Sequence, residues 1–521
     1  MHYLNLLQLG IWYLLIGVFP TKITDSSSET KSSPTKGWVG MNLSSISYYS
    51  SEIVFVDVFK QSQEWKSQAE GKPYGEGGPM ELTPTGWVKQ LTGRSQFAES
   101  LIFHDLEGHY PSGIYVCLYE GKGVIEFSQS AEILRKTPGR ITVKVDAKRG
   151  SISLRIRKTD PSNPIRNIRL ILPGFERSYK TRLYHPDFLK RLQGVKVLRF
   201  MDWGMTNNSK VVEWKDRITP AYQTQGSERG VALEYQIMLA NELDAIPWFC
   251  VPHKASDEYI REFAKLIKAK LKPSLKFYLE YSNETWNGMF EQATYCREQG
   301  KELKLSDNDY EAQLRYSSHR SVEIFQLMEK ELGGRERMIR VIASQSANSW
   351  AGGQEVEWKE AYKSIDAVAI APYFGNALGD PKTADEVAKL TVEEIIAKCE
   401  EKIVENKTKI EEYINLTKKY NLDLIAYEGG QHLTGYAGAE NNDLLTKKFL
   451  SANRHPKMKE LYLQDLHQWQ KLGGGLFCVF ATMGRYSKWG SWGLLEFYDD
   501  SERKSPKYQA IRAYILENQK K

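Results

Sequence analysis

A (β/α)8 barrel carrying an inserted antiparallel β module is the fold that this 521-residue sequence predicts. Three observations lead to it. Short apolar runs recur along the chain with amphipathic stretches between them, the rhythm of parallel strands covered by helices. The runs number eight, which suits a closed barrel. After the first of them the rhythm gives way to short alternating runs punctuated by Gly and Pro, the pattern of antiparallel strands and turns. Composition agrees: 41% hydrophobic and 26% charged residues exclude wholesale disorder, collagen-like repeats and a polytopic membrane protein. Lys and Arg total 71 against 65 Asp and Glu, a net +6 with no long basic run, so no nucleic-acid partner is expected.

Taken in order, residues 3–19 form an apolar stretch broken only by Asn5 and Gln8. Residues 1–20 therefore read as a signal peptide or N-terminal anchor. The expected location is secreted, periplasmic or at the cell surface, with membrane contact only if that stretch stays uncleaved. Residues 21–36, rich in Ser, Thr and Lys, read as a flexible tail. Residues 37–70 are expected to form the first barrel unit: a buried strand in GWVGMNL, then a helix over residues 53–65 on the spacing of Ile53, Val56, Phe59 and Lys60. Residues 71–174 are the inserted, sandwich-like module, with alternation clearest at 141–147, 151–157 and 167–172. Residues 175–521 supply the rest of the barrel. Its seven strands are expected within 195–203, 245–253, 275–284, 339–345, 366–374, 422–430 and 474–481. The clearest helix between them places Val392, Ile395, Ile396, Cys399 and Ile403 on one face.

Barrel enzymes work at the C-terminal ends of their strands. Those ends carry Arg199, Asp202 and Trp203 on strand two, and His253 on strand three. Strand four ends in Asn283 and Glu284, strand six in Tyr373, strand seven in Tyr427 and Glu428. Glu284 and Glu428 each close an apolar run, where a carboxylate without a partner is costly. Strands four and seven face each other across an eight-strand ring. Two carboxyl groups in one cleft are what glycoside hydrolysis needs: one protonated to serve the leaving oxygen, one ionised to attack or to activate water. Trp203, Trp286, Trp350, Trp489 and Trp492 are candidate platforms for sugar rings. Plainer roles compete. Ser282 and Asn283 also suit a helix cap, Arg199 a structural ion pair, His253 a core histidine and Tyr373 simple packing. The segment from His104 to His109 holds four metal-type side chains, but its turn chemistry argues against a metal site. The five cysteines lack zinc-type spacing. Neither a metal nor a cofactor is expected.

The Asn283-Glu284 pair on strand four, with Glu428 on strand seven, resembles the retaining glycoside hydrolases of clan A. Glu280, four residues before the acid/base, also fits, as do Arg199, His253 and Tyr373. More narrowly, MNLSSISYYSSEIVFVDVFK, LRFMDW, GSERGVALEY and EYSNETWNGMFEQA resemble secreted bacterial proteins often labelled cellulose-binding. The resemblance runs from Gly37 onward. It implies a (β/α)8 barrel, Glu284 as acid/base, Glu428 as nucleophile, and a polysaccharide or oligosaccharide substrate such as a β-1,4-glucan, xylan or mannan. Asn283 is expected on the sugar 2-hydroxyl, with Arg199 and Tyr373 beside Glu428. Strand eight departs from the pattern: Phe480 and Ala481 stand where many clan members have a Trp, leaving Trp489 or Trp492 to fill that role. The alternatives are a non-catalytic carbohydrate-binding protein or a structural cell-surface protein on the same fold. A binder has no need of two facing glutamates.

Overall fold

The computed structural model describes residues 33–519. The expected leader and most of the expected tail lie outside them. Among the described residues no helix is long and apolar enough to cross a membrane. The end of the expected tail is seated on the barrel: Thr35 Oγ1 accepts the Leu476 N–H at 3.0 Å, and the Thr35 carbonyl accepts that of Trp38.

The first strand, β1 (Val39–Asn42), opens a closed parallel barrel. The chain then leaves for the module: β2 (Lys66–Ala69), β3 (Met80–Leu82), β4 (Val88–Leu91), β5 (Gln96–Ile102), β6 (Gly113–Glu120), β7 (Gly123–Gln129), β8 (Ala131–Thr137), β9 (Arg140–Val145), β10 (Ile152–Thr159) and β11 (Arg166–Ile171). It returns for β12 (Val197–Arg199), β13 (Ile246–Val251), β14 (Phe277–Tyr281), β15 (Met338–Ala343), β16 (Ala367–Ile370), β17 (Asp423–Ala426) and β18 (Phe477–Phe480). The last strand pairs with β1, Val39 opposite Phe477, and closes the ring. All seven later runs thus form strands where the apolar pattern places them. The predicted helix stripe is also present: Ile395, Ile396, Cys399 and Ile403 are buried on the helix Val392–Lys419, started by a capping box between Thr391 and Glu394.

The module is two four-stranded antiparallel sheets, β2-β5-β10-β7 and β11-β6-β9-β8, with a β3-β4 hairpin. Alternate residues of both sheets meet in one core, among them Ala98, Ile125 and Leu154 from the first, and Cys117, Val143 and Leu170 from the second.

The helix expected over residues 53–65 does not form; only a short 3-10 turn, Val58–Gln61, is present. Ile53, Val54, Phe55, Val56, Val58 and Phe59 are all buried. A β-branched run buried on every side favours extended chain over an amphipathic helix. Asp57 fixes it in place, its carboxylate accepting N–H bonds from Phe59 and Leu170. The module therefore enters directly after β1, before any barrel helix, and the helix Pro186–Arg191 precedes β12. The seam is polar and packed: Gln225 N–H donates to the Lys60 carbonyl at 2.8 Å and Thr224 Oγ1 to that of Ser62 at 2.6 Å. The suspected metal cluster belongs to the module's contacts too. Asp105 pairs with Arg485, His109 with Asp499 at 2.8 Å, and His104 binds Ser151 and stacks on Tyr48.

Candidate active site

Strand alternation sends every second side chain into the barrel. At the C-terminal end this brings together Asn42, Arg199, Glu280 and Tyr427. Arg199 and Glu280 are both buried. The guanidinium holds Glu280 bidentately, its Nη2 at 3.1 Å and 2.9 Å from the two carboxylate oxygens. Its Nη1 donates to Asn42 Oδ1 at 3.1 Å, and its Nη2 also donates to Asn283 Oδ1 at 2.8 Å. Trp248 Nε1 donates to Glu280 at 2.8 Å. A buried pair needs this many partners, because desolvation otherwise exceeds the Coulombic gain.

Above this layer opens a cleft of about 540 Å³. Glu284 and Glu428 both line it. Glu284 sits just past β14 at φ 43°, a left-handed conformation unusual for a non-glycine residue. Its carboxylate accepts Asn287 Nδ2 at 2.8 Å and the Tyr427 hydroxyl at 3.0 Å. The next helix starts only at Glu291, so Ser282 and Asn283 are not its caps. Asn283 instead accepts from Arg199 and donates to Asn207 Oδ1 at 3.0 Å. Glu428 stands two residues past β17 with Oε2 3.5 Å from Arg199 Nη1, and among the described residues that oxygen accepts no hydrogen bond. Two glycines follow for steric reasons. A Cβ on Gly429 would lie 2.5 Å from the Phe477 ring, and Gly430 has φ 126°.

Burial pushes both carboxyl groups above their ordinary range. The larger push falls on Glu428, where burial and the facing Glu284 outweigh the pull of Arg199. Each of the two carboxyl groups disfavours ionisation of the other. A third carboxyl, Asp202, lines the same cleft. Burial raises it to about 6 against the pull of Arg199.

The remaining candidates divide. Tyr373, Trp286 and Trp492 line the cleft. Trp492 stands 6.0 Å from Tyr373 and 5.9 Å from Phe480, ring centre to ring centre, so it takes the wall that strand eight leaves open. Trp203 is a correction: it is fully buried, its indole donates to the Ser44 carbonyl, and it packs on Phe188. Trp350 stacks on Tyr310 and Trp489 is 66% exposed; neither lines the cleft. His253 does not line it either. It is buried edge-on against Tyr295, and burial lowers it to about 4. The sequence reading had left Tyr427, Asp202, Asn207, Asn287 and His432 without roles. Asp202, Tyr427 and His432 stand at or just past strand ends, where such groups are expected. Asn207 and Asn287 lie in turns that carry no periodic signal.

Behind Glu284, Thr285 is tied by its hydroxyl to Ser317 at 2.7 Å and by its carbonyl to Gln313 at 2.7 Å. Glu355 is buried beside Ser317, and burial raises its carboxyl to about 8. A carboxyl whose folded pKa exceeds its unfolded one stabilises the fold while protonated. That contribution, on the order of several kcal/mol, is lost as pH rises from about 4.5 to 8. Glu355→Gln should therefore lose less of its thermal midpoint than the wild type between pH 5 and pH 9, measured by circular dichroism. An equal loss in both proteins would refute this origin.

No protein-family model matches the chain, and no curated protein matches it. Solved structures do. One is a 4-O-α-L-rhamnosyl-β-D-glucuronidase from Fusarium oxysporum 12S, 11% identical, TM-score 0.40, with 63% of each chain covered. Another is an endo-β-1,4-mannanase from Thermotoga petrophila, 14% identical, TM-score 0.32, covering 63% of this chain and 72% of that one. A third is the catalytic domain of an endo-β-1,4-mannanase from Bacillus sp. JAMB-750, 10% identical, TM-score 0.33, covering 63% and 78%. The chain spans less than two thirds of the glucuronidase's length. The closed eight-stranded barrel itself rests on this chain's own strand pairing.

Proposed function

We propose that this protein is a retaining β-glycoside hydrolase acting on a polysaccharide. The observation that supports this most directly is that Glu284 and Glu428 line one cleft, Glu284 held by Asn287 and Tyr427 and Glu428 set against Arg199. Glu284 carries the proton that the leaving oxygen receives, so Glu428, the carboxyl that burial raises further, must be ionised against Arg199 when substrate fills the cleft. Glu428 attacks the anomeric carbon and forms a glycosyl ester, and Arg199 stabilises its charge before attack. Water then enters the leaving-group side, Glu284 takes its proton, and the sugar is released with its starting configuration. Asn283, held by Arg199 and Asn207, is placed to bond the sugar 2-hydroxyl. Tyr427 donates to Glu284 and steadies its ionised state between the two steps. Trp286, Trp492 and Tyr373 offer ring faces for stacking.

The test is hydrolysis of β-glucans, xylans and mannans, with proton NMR of the first product formed. The expected first product is the β-anomer. An α-anomer would replace retention by inversion. Binding without hydrolysis of any polymer would favour a carbohydrate-binding protein.

A further inference from the structure

A second cavity, of about 280 Å³, lies where the barrel meets the module. Three separate stretches line it: the loop after β1, including Tyr48 and Tyr49; the run entering β2, with Glu64 and Lys66; and the segment after β12, including Met205 and Glu228. That last stretch is shared. Met201, Asp202 and Asn207 line the catalytic cleft, and Met205, between them, lines the second cavity. One loop is thus a common wall of both.

The lining suits a sugar. Tyr49 is 57% exposed and stands edge-on to Tyr48 at 5.1 Å, while Tyr48 is backed by His104 at 5.6 Å. Flat rings with a fixed backing offer an apolar face to a pyranose. Polar groups surround them. Glu64 accepts the Tyr222 hydroxyl at 3.0 Å, and among the described residues Lys66 and Glu228 make no ion pair. A few polar groups around aromatic faces orient a ligand that is part apolar and part hydroxylated.

We propose that this junction is a distal subsite for the same polysaccharide whose bond is cut in the cleft, so that the module lengthens the substrate groove. The proposal rests on the glycosidase reading for its choice of ligand. A chain filling the cleft continues past Met205 onto the Tyr49 ring, with Lys66 reaching its hydroxyls.

Affinity electrophoresis of the full chain, in gels containing β-1,4-glucomannan, mixed-linkage β-glucan or arabinoxylan, tests it without turnover. Tyr49→Ala and Lys66→Ala should each weaken retardation in the gel that retards the wild type. For Tyr49→Ala the expected loss of affinity is about five- to tenfold, the scale of one aromatic contact. Both side chains are exposed, so the substitutions leave the core intact. Kinetics give a second arm. Tyr49→Ala should lower kcat/KM, through KM, several times more on the polymer than on a dinitrophenyl β-glycoside that is confined to the cleft. Wild-type protein retarded by none of the gels, or variants retarded as strongly as wild type, would overturn the subsite. So would equal kinetic losses on long and short substrates. If Tyr49→Ala weakened polymer binding while the wild type hydrolysed none of the polymers, the subsite would stand and the glycosidase reading would fall.

Discussion

Glu428→Gln is expected to abolish turnover on every substrate, while Glu284→Ala retains its first step on substrates whose leaving group is already acidic. The difference follows from where each carboxyl stands. Glu428 stands two residues past β17 against Arg199, in the nucleophile's place, and an amide there cannot form the glycosyl ester. Glu284 only moves protons. Its loss should slow substrates with poor leaving groups by about 10²- to 10⁴-fold, and a dinitrophenyl glycoside far less in the first step. The second step then stalls, because water lacks its base. Azide needs no deprotonation and fits the space that the carboxylate vacates. It should restore turnover of Glu284→Ala and yield a β-glycosyl azide. With Glu428→Ala, azide must approach from the opposite face and give the α product. Product stereochemistry by NMR assigns the roles. Wild-type turnover by both variants on a confirmed substrate would end the assignment.

Arg199→Ala is expected to cost both stability and activity. The guanidinium is the common partner of Glu280, Asn283, Asn42 and Glu428, all at the barrel's upper layer. Removing it strands buried carboxylates without compensation, a loss of about 3–5 kcal/mol by analogy with broken buried pairs. The thermal midpoint should fall by several degrees. Arg199→Lys should not restore activity, because an ammonium cannot hold Glu280 bidentately and also reach Asn283. A double variant, Arg199→Met with Glu280→Gln, removes the stranded charge and should recover much of the stability. It should not recover kcat, since Glu428 and Asn283 remain unheld. Recovery of both together would show that Arg199 serves the fold alone.

The eight barrel strands were legible because strands buried on both faces read as uninterrupted apolar runs. Ala367 to Ile370 and Phe477 to Phe480 are examples. The residues at 53–58 were misread because their apolar positions fit helical spacing as well as a run buried all round. Only packing against both barrel and module separates the two. The carboxylate pair was legible because a strand end fixes where a side chain points. The tryptophans were not. Trp203 is four residues beyond Arg199, yet the turn carries it down into the core. Trp492 lies eleven residues beyond Ala481, yet the loop returns it beside Phe480. Loop length does not report loop direction. Tyr427 carries no signal of its own in the sequence beyond its place at a strand end. Its hydroxyl on Glu284 is a contact across the barrel that no local pattern encodes.

The pairing of β1 with β18 also governs the order of assembly. Ser44 and Thr482, hydrogen-bonded across that seam, are 438 residues apart. The module, residues 66–171, has its own core and can consolidate from contacts close in sequence. The ring cannot. Until the last strand has left the ribosome, β1 has one free edge and β17 another, each a template for foreign strands. Sealing the barrel must therefore wait for β18, and until then the two open edges expose the chain to aggregation.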